Sequence, residues 1–176
     1  MAKQIIMNKK IFNFENYGVA KHPVPSGEVY IVNPEGEDAY ENYNLDQYIG
    51  DRNVILVGIP GAFTPTCTEK HLPGFVSNEK NIYNAGIDEI ICMSVNDPHV
   101  MVAFEDYINF DGSTITMAAD PYGEVAEQML LLTDMGVMGN RSKRFAAIIN
   151  SGKIQTLLID ENGLDISSAE NCMKYL

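Results

Sequence analysis

Val54-Ile-Leu-Val-Gly-Ile-Pro60-Gly-Ala-Phe-Thr64-Pro-Thr-Cys67 passes from an unbroken apolar run to a helix start that carries a thiol. Val54 to Ile59 reads as a β-strand covered on both faces, and Pro60-Gly61 ends it. Thr64-Pro65 is a helix-start signal, with threonine as N-cap and proline at the first helical position. That register puts Cys67 at the third helical position, where a capping box holds a carboxylate against unpaired backbone N–H groups. A thiolate there meets the same donors and the positive end of the helix dipole, so the stretch predicts an activated sulfur. Thr64, three residues earlier, is expected to reach across one turn toward the sulfur, and Pro60 to pack over it and limit water.

Outward from this stretch, the apolar set Leu72, Phe75, Val76, Ile82 and Tyr83 continues the helix to about Gly86, with a kink expected at Pro73-Gly74. Ile87 to Val95 reads as a second buried strand, and Asp97-Pro98 opens a helix through about Ile108. Thr114 to Ala118 reads as a strand, and Asp120-Pro121 as the start of a third helix through about Leu132. Arg144 to Asn150 and Lys153 to Asp160 are strands joined by Ser151-Gly152, a hairpin connection. Ser167-x-x-Glu170 reads as a capping box for a last short helix. Upstream, Gly27 to Val32 predicts a short strand and Tyr40 to Tyr48 a helical or turn segment. This alternation predicts an α/β protein of thioredoxin-like fold, a mixed central sheet flanked by helices, with Cys67 outside the carboxyl end of the first core strand. Residues 1–20 are expected to form a weakly structured arm and residues 21–176 a single domain.

A formal net charge of -12, with no basic cluster longer than Lys9-Lys10 or the spaced Arg141, Lys143 and Arg144, argues against nucleic acid and anionic membrane as partners. The three cysteines, at 67, 92 and 172, include no Cys-x-x-Cys pair, which disfavours a disulfide framework and a zinc knuckle and favours a reducing compartment. The apolar run Ile5-Ile6-Met7 is short for a signal-peptide core, so a cytoplasmic location is expected. His22 and His99 have no ligand-spaced partner; neither a metal site nor a cofactor is expected.

Pro60-x-x-x-Thr64-x-x-Cys67 resembles the peroxiredoxin active-site motif, and residues 60–75 as a whole resemble the type II or peroxiredoxin 5 group. The similarity continues through residues 88–98, 139–145 and 167–171, and spans roughly residues 24–176. The resemblance implies a thiol-dependent peroxidase that reduces hydrogen peroxide and alkyl hydroperoxides through a sulfenic acid on Cys67. It implies that Thr64 holds the peroxide in line, that Pro60 shields the site, and that Arg144 is the family's active-site arginine. Arg141 fits that register less well.

His71, four residues after Cys67 and on the same helical face, reads as a structural or interface residue. Cys92 resembles the second cysteine of plant-like type II members, a resolving thiol. Its neighbours Ile90, Ile91 and Met93 predict burial instead, so a resolving and a packing role both stand. Cys172 lies off the resolving position of the animal-type members. Where no internal cysteine resolves, the resemblance implies glutathione with glutaredoxin, or thioredoxin, as reductant. It also implies a homodimer built near the active-site helix, with His71 to Phe75 close to the interface.

Two other functions share these residues. A thiol-disulfide oxidoreductase would need a second cysteine at position 70, which holds lysine. A redox sensor would use oxidation of Cys67 as a signal without turnover.

Overall fold

The computed structural model describes residues 11–13, 22–33, 36–109 and 111–176. In chain order they form strands β1 (Ile11–Asn13), β2 (His22–Pro23), β3 (Glu28–Val32) and β4 (Tyr40–Asn44), helix α1 (Leu45–Ile49) and β5 (Val54–Ile59). A π-turn (Cys67–His71) runs into α2 (Leu72–Asn84), followed by β6 (Glu89–Ser94), α3 (Pro98–Ile108), β7 (Thr116–Ala119) and α4 (Glu124–Gln128). The chain ends with β8 (Leu132–Asp134), β9 (Asn140–Ser142), β10 (Arg144–Asn150), β11 (Lys153–Asp160) and α5 (Ala169–Cys172).

The two most apolar runs take the centre of the main sheet, whose order is β1-β11-β10-β5-β6-β7-β3-β4, with β2 also paired to β11. β5, β6 and β7 are parallel neighbours, and the β10–β11 hairpin adds antiparallel to β5. Alternation along β5 sends Ile55, Val57 and Ile59 into one core, with Cys67, Phe75, Phe104 and Cys172, and Val54 and Leu56 into the other, with Leu45, Met93 and Phe145. A mixed sheet covered on both faces by helices is the thioredoxin-like architecture expected from the sequence.

Gly58 is the one residue of β5 without a side chain, and packing explains it. It pairs with Phe145 across the β5–β10 ladder, and a Cβ on Gly58 would stand 1.8 Å from Phe145 Cε1. Gly58→Ala is expected to destabilise the fold by about 3 kcal/mol, read as a lowered denaturant midpoint, and Phe145→Leu in the same chain to recover part of the loss.

Several elements differ from the sequence expectation. Part of the N-terminal lead-in is ordered: Ile11 to Asn13 pairs with Leu158 to Thr156, while the rest of residues 1–20 lies outside the described residues. Tyr40 to Tyr48 divides into strand β4, paired to β3, and helix α1. The third helix is only Glu124–Gln128, because Gly123 at φ +71° and Leu130 at φ +61° bound it with left-handed residues. Asp120 caps this helix from a distance, accepting from the N–H groups of Val125 and Ala126 at 3.4 and 3.0 Å.

The helix irregularity precedes Pro73. An i→i+5 bond from Leu72 N–H to Cys67 C=O takes up a surplus residue before the proline, and the helix then continues through it. At the C-terminus the cap is Ser168, which accepts from Asn171 N–H at 3.3 Å; Ser167 is used elsewhere.

Candidate active site

The loop after β5 is pinned from the next strand. Ser94 at the end of β6 donates to Asn96 Oδ1 at 2.7 Å, and the same oxygen accepts from Ala62 N–H at 3.0 Å. Phe63 follows at φ +60°, a conformation unfavourable for a side chain of its size, and its half-exposed ring packs edgewise on Phe104 and Tyr107. Turning there lets Thr64 fold back on Gly61. The Thr64 hydroxyl donates to Gly61 C=O at 2.8 Å, not to the Cys67 sulfur as expected. With its proton so engaged, Thr64 Oγ1 can only accept from whatever enters the site.

The first helical bond runs from Thr68 N–H to Thr64 C=O at 3.0 Å, so the N–H groups of Thr66 and Cys67 lie ahead of it at the helix mouth. Cys67 is fully buried and opens the π-turn, an irregularity common at functional sites.

Arg144, the first residue of β10, is 7% exposed. It donates from Nε to Gly163 C=O at 2.8 Å and from Nη1 to His71 Nδ1 at 3.0 Å. Arginine can only donate, so His71 Nδ1 is unprotonated and the ring is held as the neutral Nε2–H tautomer. Nε2 in turn donates to Ser167 C=O at 3.0 Å. Ser167 is fixed by Asp160, whose carboxylate accepts from the Ser167 hydroxyl at 2.7 Å, Ser167 N–H at 3.0 Å and Ile166 N–H at 2.8 Å.

Asp160, Ser167, His71 and Arg144 thus form a continuous chain that passes through the helix carrying Cys67 and ends on strand β10. Burial first, and then the Arg144 charge, lower the His71 pKa to about 4. At Asp160, burial alone would raise the pKa, but the donors from Ser167, Ile166 and Asp165 outweigh it and the net direction is down.

His71 is therefore a buried partner of Arg144, the structural side of the two roles expected for it. Its place four residues after Cys67 was the available signal; the sequence marks Ser167 only as a helix cap and Asp160 only as a strand end, and ties neither to His71. Pro60 and Arg144 line one cavity of about 480 Å3, together with Thr133, Met135, Lys143 and Gly163.

Cys92 lies in β6 between Val57 and Met117, fully buried in the same core cluster as Cys67. Burial drives its thiol well above the ordinary range; charge on Cys67 would raise it further, and Arg144 opposes. Cys172 is buried in that cluster too, and burial first pushes it up to about 12. All three cysteines are free. Among the described residues, no three of His, Cys, Asp and Glu could hold a metal ion, and no helix is long and apolar enough to cross a membrane.

A thioredoxin-like sheet with a lone buried cysteine at the mouth of the helix after its central strand, and a strand-borne arginine docked onto that helix, defines a thiol enzyme rather than a dithiol exchanger. The redoxin family model matches residues 20–173, and the chain belongs to that family as a peroxiredoxin of the type II group. It is 36% identical over 157 residues to Peroxiredoxin-2D of Arabidopsis thaliana, covering 87% of this chain and 94% of the relative. The crystal structure of reduced Prx3 from Vibrio vulnificus in complex with hydrogen peroxide matches with TM-score 0.80 and 30% identity, over 89% of this chain and 98% of that one. Peroxiredoxin 5 from Alvinella pompejana matches with TM-score 0.74 and 26% identity, over 88% and 94%. The activity is thiol-dependent peroxide reduction.

Proposed function

We propose that Cys67 is the peroxidatic nucleophile, acting on hydrogen peroxide and small alkyl hydroperoxides within one domain formed by residues 21–176. The thiolate sulfur attacks one peroxide oxygen, the O–O bond breaks, and an S–O bond forms. The departing oxygen leaves with the electron pair and takes up a proton as water or alcohol. Thr64 Oγ1 accepts from the peroxide O–H and holds it in line, the N–H groups of Thr66 and Cys67 and the Arg144 guanidinium stabilise the developing charge, and Pro60 limits water. The observation that carries this reading is the 3.0 Å bond from Arg144 to His71, which docks a permanent cation onto the helix of Cys67.

The sulfenic acid then meets an external thiol, glutathione with glutaredoxin or thioredoxin. Burial and the raised thiol of Cys92 favour this over an internal resolver. Three free cysteines suit a reducing, cytoplasmic setting. Phe63 and Tyr107, both more than a third exposed and in ring contact, offer an apolar face for a homodimer beside the active-site helix.

The test is sustained peroxide consumption with each donor, joined to disulfide mapping after one equivalent of peroxide. Cys92→Ser is expected to leave turnover with glutathione unchanged and a Cys67–glutathione adduct in place. A Cys67–Cys92 disulfide in the wild type, with turnover lost in the variant, would assign resolution to Cys92. One round of oxidation that stalls with every donor would make the protein a sensor.

A further inference from the structure

The chain has three arginines, and two of them have guanidinium groups engaged by their own fold or by the site. Arg52 donates to Ile49 C=O at 3.2 Å, to Tyr48 C=O at 2.6 Å and to Glu89 at 2.6 Å. Arg144 is held by Gly163 and His71. Arg141, half-buried on β9, donates only from Nε, to Met138 C=O at 2.8 Å. Among the described residues no acceptor engages either of its Nη atoms.

That guanidinium lies against the reactive loop. A Cβ on Gly61 would stand 3.1 Å from Thr64 Cγ2, 3.2 Å from Arg141 Nη1 and 3.4 Å from Met138 Cε, so the arginine and Thr64 both crowd the same bare backbone position of the loop. Arg141 is also the cross-strand partner of Thr133 in the β8–β9 ribbon. Directly opposed residues project on the same side of a ribbon, and Thr133 lines the 480 Å3 cavity that reaches Pro60 and Arg144. The acids of that cavity already hold donors: Asp160 those of Ser167 and Ile166, Glu161 the Lys143 ammonium at 3.1 Å, and Asp134 the Gly136 N–H at 2.8 Å.

We propose that Arg141 is a carboxylate-docking residue of the peroxidase site. Its two Nη groups receive the paired oxygens of a carboxylate on a small molecule whose reactive end reaches Cys67, the bidentate geometry a guanidinium favours. The proposal rests on Cys67 as the peroxidatic residue. Two molecules of the cycle carry such a group: a thiol reductant of the glutathione kind, or the hydroperoxide of a carboxylic acid. In the first case the thiol sulfur attacks the sulfenic sulfur, the S–O bond breaks, a mixed disulfide forms, and hydroxide leaves with the thiol proton as water.

The test uses the full chain as wild type, Arg141→Gln and Arg141→Lys. After one equivalent of hydrogen peroxide, capture of the Cys67 sulfenic acid is timed by quenching and mass spectrometry, with glutathione and with 2-mercaptoethanol, which has no carboxylate. In a second arm the first oxidation is timed with linoleic acid hydroperoxide and with its methyl ester. A glutathione-to-mercaptoethanol ratio about tenfold lower in Arg141→Gln, and less reduced in Arg141→Lys, supports docking of the reductant; the same fall in the acid-to-ester ratio supports docking of the peroxide.

An arginine that merely clamps Met138 would lower both members of each ratio together, and two unchanged ratios overturn the proposal. Added salt should lower the affected ratio in the wild type itself, a readout that needs no variant to fold. A wild type that forms no sulfenic acid would refute the peroxidase reading, whereas sulfenic acid with unmoved ratios would refute only the role of Arg141.

Discussion

Cys67→Ser is expected to lower peroxide consumption by at least about 10^4, to the uncatalysed rate, while the protein stays folded. A serine hydroxyl is not ionised at neutral pH, so the variant keeps Thr64, Arg144 and the helix mouth but has no nucleophile to offer the O–O bond. Neither remaining cysteine can substitute. Cys172, pushed up to about 12, presents about one thiolate in 10^5 molecules at pH 7, and Cys92 is driven up by complete burial. The measurement is hydrogen peroxide loss with a saturating thiol donor, alongside thermal melts of both proteins. A variant that keeps the full rate would move the chemistry to another sulfur and remove the central claim.

How much of this was legible in the sequence differs by residue for physical reasons. β5, Pro60-Gly61 and the Thr64-Pro65 helix start are local signals: burial on both faces, a chain break and a helical turn opening at Pro65 are each written within a few residues, and the structure has all three, though not the side-chain cap expected of Thr64. The direction of the Thr64 hydroxyl was not legible, because it depends on the left-handed turn at Phe63.

Arg144 could be placed at a strand start, but its partner could not. Counting back from Asn150 opposite Lys153 puts Ile159 across from Arg144; a register shift between Ile148 and Ile149 puts Asp160 there instead. That single slip brings a carboxylate to the end of the ladder, where it can hold Ser167 and, through it, His71. Tertiary contacts of this kind link residues 96 apart, and no periodicity reports them.

The Arg144–His71 contact supplies the second large effect. Arg144→Ala is expected to slow the first oxidation by about 10^2 to 10^3, the usual cost of removing a preorganised donor to developing charge. Arg144→Lys should recover little, since one ammonium cannot hold Gly163 C=O and His71 Nδ1 and still reach the sulfur. His71 adds a pH dependence of definite sign. Its pKa is about 4 in the folded protein against 6.5 ordinarily, so below pH 6.5 the unfolded chain binds a proton that the folded chain excludes.

The stability His71 contributes is therefore complete above pH 6.5 and is lost as pH falls toward 4, by about 3 kcal/mol over that window. Protonation at Nδ1 also expels the Arg144 donor, so the rate should fall on the same acidic limb. His71→Gln separates positioning from bulk: its amide oxygen accepts from Arg144 and its NH2 donates to Ser167, with nothing to titrate. Competition for hydrogen peroxide against a haem peroxidase of known rate, from pH 4 to 8, is expected to find most of the neutral rate in His71→Gln and a flattened acidic limb. An unchanged limb in that variant would place the titrating group elsewhere, with Asp160 the next carboxylate along the chain of contacts.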